Sequence, residues 1–270
     1  MRRILTLSVV GGLLAVVSAR AAPELPFVGQ DALYQLQLGA PAGGDVVAGS
    51  GQMGYEVIDA CNGWAVRQRL EMTLINGDGQ VTRTVSDYAT WEAKDGLAFR
   101  FHTVDTTDGE VDDRLDGEAH LDRQGGPGEV TYTAPKAATV KLPVGTMFPM
   151  WQTEAIIRAA RAGEKFIAMP LFDGTGENGA SDSSVAIDGW EPPVVARDAG
   201  DASRFSMLAK LPSTRVHVAF FSRKPDTVVP DFEIGMRYFL NGVADGLAMN
   251  FGDFTMDGKL VHLAILPSHC

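Results

Sequence analysis

Apolar and polar residues alternate along most of this chain, and short turn signals interrupt the alternation at regular intervals. Between Trp64 and Leu74 the apolar side chains fall on one face of an extended chain and the charged ones on the other. The turn Asn76–Gly79 follows, and similar glycine turns recur at about the 8–12-residue spacing of antiparallel sheets. The pattern predicts a mainly β protein, with a large antiparallel sheet of about a dozen or more strands that curls into an open barrel or β-spiral.

Charged residues lie on one side of most predicted strands, so one face of the sheet is wet and the other is buried. An outer-membrane barrel is the alternative, and it needs many lipid-facing strands of about ten residues with aromatic girdles. The strands that this sequence predicts are shorter and more charged, which disfavours a membrane barrel.

The sequence also predicts the structure of three segments in which the alternation is less clear. Ala22–Gln30 is expected to be a short leader before the first strand. Val194–Gly200 is expected to be irregular or a strand edge, because Trp190–Pro193 breaks the pattern before it. Phe205–Leu211 and Val216–Phe221 are expected to form a hairpin across Pro212-Ser213.

One segment, 149–162, has a convincing helical period. Its apolar residues recur at i, i+3, i+4 and i+7, and the resulting stripe consists of Thr153, Ile156, Ile157 and Ala160. Pro149 suits a first helical turn, because its missing N–H would be unpaired there anyway. Gly163 favours the left-handed end of a helix. We therefore expect one principal helix, packed on or inside the β structure.

Three large apolar residues, Phe148, Met150 and Trp151, stand at the start of the predicted helix. They could line a cavity beside the helix, or they could fill the core. Core filling is the favoured interpretation, because most large apolar side chains at such positions are packed.

The first residues resemble an export signal. Arg2 and Arg3 precede the apolar run Ile4–Val17, and Ala19–Ala21 has the A-x-A form of a cleavage site. The run is shorter than the roughly 18 apolar residues that a membrane anchor needs. No Cys follows it, so a lipoprotein is not expected. We predict a signal peptide over residues 1–21 and a single β domain over residues 22–270, located in the periplasm.

The charge of the chain argues against nucleic acid as a partner. The formal net charge is −11. The charged residues of the signal segment are all basic, so its removal makes the mature chain more acidic. A strongly acidic surface repels phosphate backbones and anionic headgroups.

The chain has two cysteines, Cys61 and Cys270. An exported protein with an even cysteine count usually pairs them, so a structural disulfide is the favoured interpretation. A redox switch and a metal-binding pair are the alternatives. Two isolated thiols without a nearby histidine cluster make a poor zinc site, so no metal is predicted.

The sequence contains no recognisable catalytic set. The stretch Gly179–Ser183 lacks the final Gly of a G-x-S-x-G motif, and no H-E-x-x-H or S-x-x-K occurs. Asp173–Asn178 starts like a calcium loop, but Gly and Glu are missing at its sixth and twelfth positions, so a solvated turn is expected. A wet strand face is the favoured interpretation of the acidic residues Asp112, Asp113, Asp116 and Glu118. No catalytic residue and no cofactor is predicted.

Several short motifs, each weak singly, occur in a fixed order along almost the whole mature chain. In the N-terminal half they are Gly54-Tyr55-Glu56 and Cys61-Asn62-Gly63-Trp64. Around the helix they are Leu142-Pro143-x-Gly145-Thr146-x-Phe148-Pro149, Ala162-Gly163-Glu164 and Phe172-Asp173-Gly174. Near the end they are Asn241-Gly242-Val243 and Phe251-Gly252-Asp253-Phe254. With these motifs the chain resembles the EipB-like family of periplasmic cell-envelope integrity proteins of alphaproteobacteria, whose pattern often has Tyr at the position of Phe251.

The resemblance implies a many-stranded β-spiral with one helix in its concave side, similar in shape to the lipoprotein carriers LolA and LolB. It implies that Cys61 and Cys270 are bridged. It also implies a role in envelope integrity with a periplasmic protein partner, of tetratricopeptide-repeat type. It supplies no catalytic or ligand-binding residues.

Three hypotheses follow. The favoured one is a non-enzymatic periplasmic scaffold or interaction protein that supports envelope integrity. The alternative is a carrier of a lipid or other apolar envelope molecule in the concave face, which an incompletely filled apolar cavity beside the helix would support. An enzyme is the third, and the missing catalytic sets disfavour it.

Overall fold

A computed structural model describes residues 25–40, 43–193, 205–224 and 227–270. The predicted signal peptide and the segment Val194–Gly200 lie outside these ranges. The described residues form a mainly β structure with one principal α-helix, as the alternation predicts. No helix among them is both long enough and apolar enough to cross a membrane.

The described strands are numbered in chain order. They are β1 (Gly29–Leu38), β2 (Val46–Asp59), β3 (Gly63–Asn76), β4 (Val81–Ala93), β5 (Ala98–Thr107), β6 (Glu110–Leu121), β7 (Gly128–Ala134), β8 (Ala138–Leu142), β9 (Phe166–Leu171), β10 (Ser181–Glu191), β11 (Ser213–Phe221), β12 (Phe232–Phe239), β13 (Ala244–Asn250) and β14 (Thr255–Leu266). The helix α1 (Pro149–Ala162) lies between β8 and β9.

All fourteen strands belong to one antiparallel sheet, in the order β8-β7-β6-β5-β4-β3-β2-β1-β14-β13-β12-β11-β10-β9. Consecutive strands are neighbours except for β8 and β9, which lie at opposite ends of the order. The first and last strands, β1 and β14, pair at its centre. Gly29 of β1 faces Leu266 of β14, and Leu38 faces Met256. The two chain ends of the domain therefore lie in the middle of the sheet, and β8 and β9 form its two edges.

The helix packs against β9 and β10, at one edge of the sheet. Just before α1, Met147 forms a parallel bridge with Leu171 of β9. The N–H of Met147 donates to the carbonyl of Pro170 at 2.9 Å, and the N–H of Phe172 donates to the carbonyl of Met147 at 3.0 Å. The chain that leaves β8 thus pairs with the last residues of β9.

Three apolar clusters fill the concave side of the sheet. One lies on β1, β2, β3, β13 and β14, and includes the fully buried Leu36 and Leu260. An aromatic cluster lies on β5 to β8. The third packs Ile156 and Ala160 of α1 against Val185 of β10. The apolar stripe of α1 that the sequence predicts therefore faces the sheet, as expected.

Two details of the sequence interpretation are wrong. The strands are longer than expected, since β2 and β3 have 14 residues each. No strand runs over Phe205–Leu211. A short 3₁₀ helix, Leu208–Lys210, takes its place, and β11 pairs with β10 and β12 instead. The apolar residues Phe205, Leu208 and Leu211 recur every third position, which suits a 3₁₀ turn with Leu208 buried beneath it.

Of the predicted leader Ala22–Gln30, residues 25–30 are described, and they belong to the β domain. Leu25 is buried, the ring of Phe27 lies 6.4 Å from that of Trp64, and β1 already begins at Gly29. Leu25 and Phe27 offer apolar area that gains free energy by leaving water, so the segment packs onto the domain.

Candidate functional site: a cavity beside the helix

A buried carboxyl group fixes the start of α1. The N-cap residue Phe148 has no side-chain capping bond. Glu92, at the end of β4, supplies the cap from outside: the N–H of Met150 donates to Oε2 at 2.7 Å and the N–H of Trp151 donates to Oε1 at 2.8 Å. A carboxyl group suits this place because the first N–H groups of a helix are otherwise unpaired.

Burial nevertheless dominates the titration of Glu92. Loss of hydration raises its pKa to about 8, and the two N–H donors only partly oppose that rise. The group is 2% exposed, so it couples the orientation of α1 to the position of β4.

A polar contact and an apolar face hold the middle of the helix. Nε2 of Gln152 donates to Oγ of Ser183 at 2.8 Å, and that hydroxyl donates to the carbonyl of Met169 at 2.8 Å. Ile156 and Ile157 on the same side are at most 1% exposed. The helix is therefore a fixed wall of the space beside it.

Aromatic side chains fill the concave side below the start of the helix. Phe148 is fully buried, and its ring stacks 5.0 Å from that of Phe99. Phe172 meets both rings edge-on, at 6.4 and 5.9 Å. This part of the interior is closed to any ligand, because interlocked rings leave no free volume there.

Three hydroxyl groups bind the loop that follows β9. Tyr88 donates to the carbonyl of Asp173 at 2.8 Å, Thr103 to that of Gly174 at 3.2 Å, and Tyr132 to that of Gly176 at 2.7 Å. Gly174 has a φ of +80°, and a Cβ there would lie 2.6 Å from Cβ of Phe101. The Phe-Asp-Gly motif thus closes the aromatic end of the interior.

A cavity of about 280 Å³ lies beside the other side of the helix. Its volume is close to the lower end of the roughly 300–1,000 Å³ typical of small-molecule sites. Met150 and Thr153 of α1 form one wall, and the inner faces of the sheet form the others. The strand residues that line it include Tyr34, Met53, Tyr55, Val57, Leu70, Phe232, Ile234, Met236, Tyr238, Leu247 and Met249, and Phe251 lines it from just after β13.

The cavity is apolar and uncharged. None of its lining residues in the described part of the chain is ionised at neutral pH. Burial raises the pKa of Tyr34, Tyr55 and Tyr238, so their hydroxyl groups stay protonated. The hydroxyl of Tyr34 donates to the carbonyl of Ala244 at 2.8 Å, which ties β1 to β13 beside the cavity.

Phe232 lines both this cavity and a wider depression of about 680 Å³ at the surface. The depression lies between the loop after β9 and the loop between β11 and β12, which contributes Arg223 and Lys224. The cavity and the surface depression are therefore neighbours on either side of one residue.

The structure separates the three candidate cavity residues. Met150 lines the cavity. Phe148 belongs to the closed aromatic cluster, and Trp151 packs on that cluster next to Gly96. The strands β12 and β13 supply much of the lining, which sequence reasoning missed. The sequence contains one sign of the cavity. Gln68 interrupts the apolar face that runs from Trp64 to Leu74, and it lines the cavity.

Cys61 and Cys270 are joined by a disulfide with their Cα atoms 5.3 Å apart. Asp59 organises both sides of the link: Oδ1 accepts from the N–H of Cys61 at 3.0 Å, and Oδ2 accepts from Ser268 at 3.1 Å. A hydrogen bond from Lys94 lowers the pKa of Asp59. The carboxylate and the disulfide together fasten the C-terminal tail to the turn between β2 and β3.

Asp173 is partly buried, and burial raises the pKa of its carboxyl group, so this residue is less solvated than the expected turn. Asp173 accepts two hydrogen bonds from Thr175, at 3.0 and 2.8 Å, as in an Asx turn. Asp116 pairs with His102 and Arg114 on the outer face of the sheet. In the described ranges no three His, Cys, Asp or Glu side chains converge as metal ligands do.

The convex side carries a second feature, an outer groove of about 960 Å³. Its floor is formed by Gly235, Gly246 and Ala248, whose side chains are absent or small. Arg215 and Arg237 stand at one side, both paired with Glu191. This outer groove is open and is lined by charged as well as apolar side chains, unlike the cavity inside.

The fold and the cavity define a class: an open antiparallel β-barrel-like protein with a helix packed at one edge of its sheet. A crystal structure of a beta-barrel-like protein of domain of unknown function DUF1849 from Brucella abortus has this fold, with a TM-score of 0.81 and 27% identity over 90% of this chain and 100% of that one. The EipB-like family model matches residues 21–267, and the chain belongs to that family.

A relative in Brucella abortus (strain 2308) is named cell envelope integrity protein EipB. It is 31% identical over 252 residues, which cover 92% of this chain and 88% of the relative.

Proposed function

We propose that this chain is a non-enzymatic, periplasmic protein that supports cell-envelope integrity by holding an apolar envelope molecule in the cavity beside α1. The observation that carries the proposal is the uncharged cavity itself, which lies next to a fixed helix and shares Phe232 with a depression at the surface. Membership in the EipB-like family and the name of the Brucella relative support the envelope role. The carrier alternative of the sequence analysis thus becomes the leading candidate.

The unfilled apolar volume of the cavity favours an apolar guest. Interiors are normally packed to the density of organic crystals, so an apolar space of this size costs stability when it is empty. A guest that fills the cavity restores those contacts and loses its own apolar contact with water. Lipid acyl chains are the apolar molecules that an envelope offers in quantity.

A second candidate is the scaffold or interaction protein that the sequence analysis favours, with a periplasmic protein partner of tetratricopeptide-repeat type. The specific observation in its favour is the outer groove, whose charged sides and low glycine-alanine floor suit a protein surface better than a lipid. The two candidates use opposite faces of the same sheet, so they can be tested separately.

Two substitutions on one strand provide that test. Ala244 of β13 lines the cavity, whereas Ala248 lies in the outer groove. The purified protein is titrated with N-phenyl-1-naphthylamine, whose fluorescence rises in apolar surroundings. Ala244→Phe fills the cavity and is expected to abolish the signal, while Ala248→Phe leaves it unchanged. Probe binding that survives Ala244→Phe contradicts the proposal. Loss of a co-purifying protein partner in Ala248→Phe alone favours the scaffold.

A further inference from the structure

We propose that Tyr55 and Gln68 form a polar subsite in the wall of the cavity, which binds the carbonyl group of an uncharged acyl ester or acyl amide. The inference rests on the proposed function, because it specifies the chemistry of the guest at the same site. It follows from two neighbouring side chains that line the cavity and whose polar groups the described residues leave without a hydrogen bond.

Tyr55 of β2 and Gln68 of β3 lie directly opposite each other in the register of the sheet. Arg67 and Arg69 are exposed on the outer face, so the alternation turns Gln68 between them, and Tyr55 with it, to the inner face. Both residues line the cavity, and both are half-buried. The Cβ atoms of directly opposite residues are about 4.5–5.5 Å apart, so these two side chains form one patch of the wall.

The polar groups of this pair can contact a guest. The hydroxyl of Tyr55 and the side-chain amide of Gln68 form no hydrogen bond with another residue in the described ranges. They also keep accessible surface, since the enclosed polar atoms without a partner in these ranges belong to Gln30, Thr84 and Ser213. An O–H donor and an N–H donor therefore lie side by side at the cavity.

Two neighbouring tyrosines have their hydroxyl groups engaged elsewhere. Tyr34 also lines the cavity, but its hydroxyl donates to a carbonyl of β13 at 2.8 Å. Tyr88 lies opposite Gln68 on β4, and its hydroxyl donates to the carbonyl of Asp173 at 2.8 Å. Tyr55 thus differs from both in having an unused donor, and Tyr34 provides a matched control in the same cavity.

An uncharged acceptor suits this pair of donors. A carbonyl oxygen has two lone pairs and can accept from both. A carboxylate or phosphate group would lose its hydration without a counter-charge, because no cationic side chain of the described residues lines the cavity. Burial raises the pKa of Tyr55, so its hydroxyl stays a donor at neutral pH. Lipid acyl chains are joined to their head groups through esters and amides, which supply such a carbonyl.

Two competitors of the same shape test the carbonyl contact. They are 2-octanone and 2-methyl-1-octene, in which a CH2 group replaces the carbonyl oxygen. The full mature chain is loaded with N-phenyl-1-naphthylamine, and displacement of the probe gives the affinity of each competitor. The affinity of the ketone divided by that of the alkene measures what the oxygen contributes in each protein.

Tyr55→Phe and Gln68→Leu each remove one donor and keep the approximate size of the side chain. In each variant we expect the ratio to fall about fivefold, a factor typical of one hydrogen bond. Tyr34→Phe should leave the ratio unchanged, because the hydroxyl that it removes is engaged with β13. Octanoate is expected to bind the natural chain more weakly than 2-octanone at neutral pH.

Infrared difference spectroscopy of the bound ketone gives a second readout that reports the hydrogen bond itself. Hydrogen bonding lowers the C=O stretching frequency, so 2-octanone should absorb at a lower frequency in the natural chain than in Tyr55→Phe. In Tyr34→Phe the frequency should equal that in the natural chain.

Each result decides between the two proposals. A ratio that stays the same in Tyr55→Phe and Gln68→Leu, or that falls equally in Tyr34→Phe, overturns the subsite while the apolar site stands. Octanoate that binds as tightly as 2-octanone overturns the uncharged guest. If the probe does not bind the natural chain at all, the proposed function fails and this inference fails with it. The infrared measurement on the natural chain needs no variant: bound ketone that absorbs as it does in hexane overturns the subsite.

Discussion

The main-chain N–H of Trp151 lies 2.8 Å from Oε1 of Glu92, which joins the first turn of α1 to the end of β4 across 59 residues of sequence. Because this carboxyl group also accepts from Met150, a single side chain sets where the helix starts. Met150 lines the cavity, so the geometry of the cavity depends on that same contact.

The first prediction concerns pH. Burial raises the pKa of Glu92 from an ordinary value of 4.5 to about 8 in the folded protein. The folded state therefore holds a proton that the unfolded state releases, and its stabilising contribution, complete below about pH 4.5, declines as pH rises and is lost by about pH 8. Denaturant unfolding between pH 5 and pH 9 is expected to show this decline, on the order of a few kcal/mol.

The variant Glu92→Gln cannot release the proton, so its stability should depend less steeply on pH. It should also be less stable at low pH, since an amide N–H then faces a main-chain N–H of the helix. Parallel pH profiles for the two proteins would show that Glu92 does not titrate in this range.

The second prediction concerns the helix face. Ile156 is 1% exposed against β10, and its replacement by Ala removes buried methyl groups and leaves a void. A loss of about 2–5 kcal/mol in the free energy of unfolding is expected. Arg158→Ala on the same helix breaks a partly exposed pair with Glu154 and should cost about 1 kcal/mol or less. Chemical denaturation measures both, and equal losses would mean that the helix faces the other way.

The third prediction concerns the disulfide. Residues 261–266 of β14 pair with β1 but lie beyond the pairing with β13, so the backbone of this half of the strand is paired with only one neighbouring strand. The link from Cys270 to Cys61 closes a loop with a sequence separation of 209, worth up to about 5 kcal/mol in chain entropy.

Cys61→Ser, Cys270→Ser and the double variant should therefore melt at lower and similar temperatures, since each change breaks the same bond. Hydrogen exchange should show the largest loss of protection in the last half of β14. A double variant that melts at the same temperature as the natural protein would show that the disulfide does not stabilise the fold.

Much of this architecture follows from local sequence. The alternation in β3 and the helical stripe of Ile156 and Ile157 predict their elements, because one buried face imposes a period of two on a strand and of 3.6 on a helix. The 3₁₀ helix at Leu208 escapes the prediction, since three apolar residues in a short segment fit more than one period.

The cavity is harder to read from sequence. Alternation shows that Phe232 and Tyr238 face inward, but it does not show whether the facing strands approach closely enough to fill the space between them. That distance depends on how a 14-stranded sheet curls and where α1 lies, which are properties of the whole chain. Gln30 and Gln68, two amides on inward positions, are the local sign that the interior is not uniformly apolar.

The most direct test of the central claim is native mass spectrometry of the mature protein purified from its own cell envelope without detergent, followed by organic extraction and analysis of the extract. We expect one apolar guest per chain in the natural protein and in Ala248→Phe, and none in Ala244→Phe. A natural protein that carries no guest, or a guest that Ala244→Phe retains in full, would contradict the claim that the cavity beside α1 holds an apolar envelope molecule.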